Sequence, residues 1–136
     1  MKCAVQRQLS VAIENQPGRL AAISRLMAGG GINIKDLSVV DNVEQGMIRL
    51  IPSNAALCKT MLVSQGLNVV EADVIELILR DTPGKLALVS QALADAQINI
   101  DYAYGSEDAA EDRMRLILKV SNTPKAVQVL QSLLED

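Results

Sequence analysis

The chain has 136 residues, 49% of them hydrophobic, which is enough apolar material for one ordinary domain or two small ones. Its net charge is −3 and it contains no histidine, phenylalanine or tryptophan, so it lacks the basic, aromatic surface of a nucleic-acid binder, the commonest metal ligand and the commonest general base. No apolar run has transmembrane length and the first residues alternate rather than forming a secretory leader, so the cytoplasm is the expected address, with Cys3 and Cys58 as reduced thiols.

Leu9, Val11 and Ile13 alternate with polar or small residues and predict a first strand. Pro17 fits an early helical position, and Leu20, Ile23 and Met27 recur at helical spacing until Gly29-Gly30-Gly31 ends the run. Residues 32–40 and 47–51 predict the two strands of a hairpin, closed by Pro52. Asn54 caps a second helix that Gly66 ends, and residues 67–72 make a fourth strand. The remaining elements are a strand over 74–80, a helix over 84–96, strands over 98–104 and 113–120, and a helix over 123–134.

The second set of elements repeats the first. Pro17, Gly18 and Leu20 meet Pro83, Gly84 and Leu86 at a shift of 66 residues, and Ile32-Asn33-Ile34 meets Ile98-Asn99-Ile100 at the same shift. Ser53-Asn54 then meets Ser121-Asn122 at a shift of 68, which places a two-residue insertion in a loop around residues 107–112. The fold class is therefore α+β, with two ferredoxin-like β-α-β-β-α-β units over residues 1–72 and 73–136. Each has an antiparallel sheet with helices on one face. The second unit lacks its last strand; the N-terminal segment Cys3 to Ile13 or another subunit could pair at the open edge, and because an uncovered edge invites association a partner chain is expected to cover it.

Two motifs, each present twice, carry a family resemblance. Asn15-Gln16-Pro17-Gly18-Arg19-Leu20 and Asp81-Thr82-Pro83-Gly84-Lys85-Leu86 join first strand to first helix, and Gly31-Ile32-Asn33-Ile34 and Gln97-Ile98-Asn99-Ile100 open the second strand. The chain thus resembles a tandem of ACT domains, the small regulatory modules that bind amino acids in many metabolic enzymes. The resemblance implies a ligand at an ACT–ACT interface, where the loop of one domain faces the second-strand region of its neighbour. The implied binding residues are Asn15, Gln16, Gly18, Arg19 and Leu20 with Asn33 and Ile34, and Asp81, Thr82, Gly84, Lys85 and Leu86 with Asn99 and Ile100. Helix-start amides suit a carboxylate, glycine admits close approach, and Asp81 suits an ammonium group.

The expected function is a non-catalytic amino-acid sensor that works as a homodimer, allosterically and without a cofactor, and reports to a metabolic enzyme. The competing reading is a ligand-free dimerisation or docking module of the same fold. An enzyme would have to work from Arg7, Arg49, Arg115 or Asp81, with no assembled geometry. Tyr102 and Tyr104 share one face of their strand, as a wall for a bound side chain or as a contact to another domain. The acidic stretch 106–112 lacks calcium-loop spacing and is expected to be solvated, and the triple glycine follows a helix, the wrong context for a dinucleotide fingerprint.

Overall fold

The computed structural model describes residues 2–14, 16–41, 45–108 and 111–134. The elements in chain order are β1 (Lys2–Ile13), α1 (Arg19–Gly29), β2 (Ile34–Asp41), β3 (Gly46–Pro52), α2 (Ala55–Ser64), β4 (Val69–Arg80), α3 (Lys85–Asp95), β5 (Ile100–Asp108), β6 (Arg113–Val120) and α4 (Thr123–Leu134). They form two compact units, Arg7–Ala72 and a second made of Met1–Gln6 with Asp73–Asp136.

In the unit Arg7–Ala72, β3 lies between β2 and β1, antiparallel to both, with Leu50 opposite Leu37 on one side and Leu9 on the other. The period-two alternation sends Leu9, Val11, Ile13, Ile48 and Leu50 to one face, where they bury against Ile23 and Met27 of α1 and Cys58 and Leu62 of α2. On the far side of β1 the Ala12 amide donates to the Asn68 carbonyl at 3.2 Å. The Cys58 thiol sits 3.0 Å from the Met27 sulfur, and desolvation pushes its pKa up to about 11. It is a reduced core residue, as the sequence predicts.

The second unit repeats this with β6 between β4 and β5. Ile75, Leu77, Leu79, Leu116, Leu118 and Val120 bury against Val89 and Leu93 of α3 and Ala126 and Leu130 of α4. The strand that this half of the sequence lacks comes from the N-terminus and not, as expected, from a partner chain: the first residues of β1 lie beside β4, and Cys3 packs against this core.

Three expectations are corrected. Residues 67–72 and 74–80 are not two strands but parts of one, Val69–Arg80, because Glu71, Ala72 and Asp73 contain no glycine or proline to interrupt the backbone. Ser106 and Glu107 are not loop residues but belong to β5, which continues to Asp108 and pairs along β6 as far as Arg113. Pro17 is not in an early helical position but stands outside α1, one residue before a left-handed glycine, as Pro83 stands outside α3.

Candidate functional site

The two Pro-Gly turns have one geometry. Gly18 has φ 90° and ψ −5°, Gly84 has φ 94° and ψ −9°, and the Arg19 and Lys85 amides donate to the Gln16 and Thr82 carbonyls at 3.4 Å. These are type II turns, with proline presetting the first central residue and glycine taking the positive φ that the second demands. A Cβ on either glycine would meet nothing within 4 Å. Backbone conformation, rather than crowding inside the chain, is what requires glycine here.

That geometry decides how the helices begin. Among the described residues, neither α1 nor α3 has a side-chain cap on its first amides. By contrast, α2 and α4 are capped by Asn54 and Asn122, whose side-chain oxygens accept from the Leu57 and Lys125 amides at 3.1 and 3.2 Å. Among the described residues, each unit therefore has one helix start closed by an asparagine side chain and one, at the Pro-Gly turn, whose positive dipole end no side chain caps.

Cavities flank the turns. In the unit Arg7–Ala72 a cavity of about 400 Å³ lies between α1 and the end of α2, lined by Ile13, Ile23, Leu26 and Leu67 with Arg19, Arg25 and Gln65 at its polar side. A second of about 230 Å³ adjoins it and shares Ile13, Arg19 and Leu67, with Glu14 and Asn68 among its walls. The Arg19 guanidinium stands at both and pairs with the exposed Glu14 carboxylate at 3.0 Å. In the second unit a cavity of about 430 Å³ opens at the corresponding end of the sheet, among Lys2, Arg80, Arg113, Glu111 and Asp112. The Asp81 amide is tied to the Asp112 carbonyl at 3.0 Å beside it.

The site residues named from the sequence fall into two groups. Gln16, Gly18, Arg19 and Leu20, and Asp81, Thr82, Gly84, Lys85 and Leu86, are together at the turns; Asn15 lies outside the described residues. Asn33, Ile34, Asn99 and Ile100 are at the opposite ends of the same units, since α1 and α3 with 11 residues each span about 16 Å. A loop and an asparagine of the same unit do not meet. The Asn33 amide donates to Ser53 Oγ at 3.0 Å and the Ser53 amide to the Asn33 carbonyl at 2.8 Å, and Asn99 and Ser121 repeat this at 3.0 and 2.9 Å.

Tyr102 and Tyr104 lie opposite Lys119 and Ile117 on the sheet face turned away from α3 and α4. Arg25, Gln65, Leu67 and Lys2 line cavities and were not foreseen, because they approach the turns only through packing of α1 with α2 and of β1 with β4. Among the described residues no cluster of His, Cys, Asp and Glu is grouped to hold a metal ion, and no helix is long and apolar enough to cross a membrane.

Residues 4–134 match the family model described as an ACT domain pair. No curated protein matches the chain. Among solved structures, a Bacteroides thetaiotaomicron protein is 28% identical with a TM-score of 0.88, covering 96% of this chain and 89% of its own. The ligand-free regulatory subunit of aspartate kinase from Thermus thermophilus is 17% identical with a TM-score of 0.70, covering 97% of each chain. The corresponding Thermus flavus subunit is 20% identical with a TM-score of 0.68, covering 97% of this chain and 96% of its own.

Proposed function

Because the chain belongs to the ACT domain-pair family, a regulatory type of domain, we propose that it is a sensor that binds a small amino acid or a close metabolic relative and performs no chemistry itself. The observation that carries this reading is the difference between the two kinds of helix start. The asparagine starts are closed by the chain's own side chains, whereas no side chain among the described residues caps the Pro-Gly starts, and at that of α1 Arg19 borders cavities that also carry Arg25 and Glu14. An amide cradle at a positive helix end suits a carboxylate, and Glu14 or Asp81 nearby suits an ammonium group.

Within one unit the turns and the Asn33 or Asn99 ends lie apart, so a ligand that touches both requires a neighbouring ACT unit, and we propose a homodimer that provides it. Regulatory subunits of aspartate kinase share the fold. By analogy, this protein would report its ligand to a metabolic enzyme in the cytoplasm. The analogy carries the mode of action and not the choice of amino acid.

A thermal-shift panel of the common amino acids at millimolar concentration tests the reading. A ligand at one hundred times its Kd stabilises by about 2.7 kcal/mol, which raises Tm by several degrees in a chain of this size. No shift with any member of the panel would overturn it. The docking-module alternative draws on the exposed Leu37, Val39 and Val40 of strand β2; it predicts association in light scattering that no amino acid alters.

A further inference from the structure

The two units differ at the place where the repeat would make them alike. At the shifts of 66 and 68 residues, Ala22 corresponds to Leu88 and Gln65 to Leu133, while Ile13 and Arg19 correspond to Leu79 and Lys85. In the unit Arg7–Ala72 this set borders the cavity of about 400 Å³. In the other unit the matching set borders a void of about 20 Å³. Leu88 and Leu133 have closed the space from two sides, although Leu88 keeps 49% of its surface exposed on the outside.

We propose that the cavity between α1 and α2 in the unit Arg7–Ala72 is the working ligand site, that it takes a small aliphatic carboxylate of about leucine size, and that its twin is a filled, inactive copy. This rests on the sensor reading given above and specifies its site. The closed twin shows which chemistry fits: leucine side chains occupy the space while Lys85 stands at the polar edge. In the open copy the same apolar floor remains, from Ile13 and Ile23, but Leu88 is cut back to an alanine and Leu133 is exchanged for an exposed polar glutamine. A ligand's aliphatic chain replaces what Leu88 and Leu133 supply in the twin, and burying its methylenes drives binding.

The polar edge selects the head group. Arg19 and Arg25 both border this cavity, and no acidic side chain does so among the described residues. Two guanidinium groups favour a carboxylate, to which arginine can donate two parallel hydrogen bonds. The Arg19–Glu14 pair is exposed, with Glu14 at 69%, so a ligand carboxylate can take over Arg19 at little cost. Glu14 then borders the adjoining cavity, where an ammonium group on the same ligand would meet it. The shared chemistry is therefore an aliphatic carboxylate, supplied either by an amino acid such as leucine or by the 2-oxo acid that lacks its ammonium group.

The test is calorimetric titration of the full chain with L-leucine and, separately, with 4-methyl-2-oxopentanoate. Binding of either probe is expected, the first through both cavities and the second through the larger alone. The double variant Ala22→Leu, Gln65→Leu rebuilds the filled twin at two exposed positions and should lower affinity at least tenfold while its circular dichroism and unliganded Tm stay near those of the parent. Arg25→Gln should weaken binding without changing either measure of folding. Failure of both probes to bind overturns the proposal. If some other amino acid binds and the double variant leaves its affinity unchanged, the sensor reading stands and this placement of the site falls.

Discussion

Asn33 and Ser53 hold each other by two hydrogen bonds, Asn33 N–H to Ser53 Oγ at 3.0 Å and Ser53 N–H to the Asn33 carbonyl at 2.8 Å, and Asn99 and Ser121 reproduce the pair in the second unit. The bonds fasten the start of one strand to the end of its partner, just before the Asn54- or Asn122-capped helix. Replacing Ser53 or Ser121 by alanine removes the hydroxyl acceptor and keeps the backbone bond. Each change should cost about 1 kcal/mol, and about equally in the two units. Urea unfolding of Ser53→Ala and Ser121→Ala checks this, and a cost confined to one unit would show that the two hooks are not equivalent.

Much of the fold is legible in the residues because each unit follows its local rules. Leu9-Val11-Ile13 and Ile75-Leu77-Leu79 alternate, and all six side chains are in the cores. Asn54 and Gly66 stand where a cap and a stop belong, and the structure uses both. Pro17 illustrates the limit. Proline followed by glycine is compatible with a first helical turn and with a type II turn, and only the sign of φ at Gly18 separates them. The cavity difference was present in the alignment of Ala22 with Leu88, but it had no meaning until α2 brought Gln65 and α4 brought Leu133 to the same places. Pairwise packing of distant elements is the part that periodicity does not encode.

The helix ends provide a second comparison between the halves. After α1 the Ile32 amide reaches back to the Met27 carbonyl and Gly31 takes φ 70°; after α3 the Ile98 amide reaches the Leu93 carbonyl at the same 2.9 Å, but the left-handed residue is Gln97, at φ 60°. Both are Schellman endings, for which glycine is the unstrained choice. A side chain in the left-handed region costs about 1–2 kcal/mol, against which glycine gives back part through the greater freedom of its unfolded chain. Gln97→Gly should therefore stabilise the protein by up to about 1 kcal/mol, seen as a higher denaturation midpoint. A lower midpoint would mean that the Gln97 side chain makes a contribution larger than its backbone strain.

Glu71 should give the acid limb of the stability curve a recognisable component. Its carboxylate accepts a hydrogen bond from Lys59 at 3.0 Å and pairs with Arg7 at 2.6 Å, and these bonds, that of Lys59 first, hold its pKa below the ordinary carboxylate value. A depressed pKa means that the folded state favours the ionised form. The resulting stabilisation is fully present above the unfolded value of about 4.3 and disappears as pH falls through the lower folded value. Glu71→Gln should accordingly be less stable than the parent at pH 7, and the difference in Tm should shrink below about pH 4 until the two proteins coincide. Thermal unfolding of both proteins between pH 7 and pH 3 measures this. A difference that stays constant over that range would show that Glu71 acts through packing or neutral hydrogen bonding, and that its charge does not contribute.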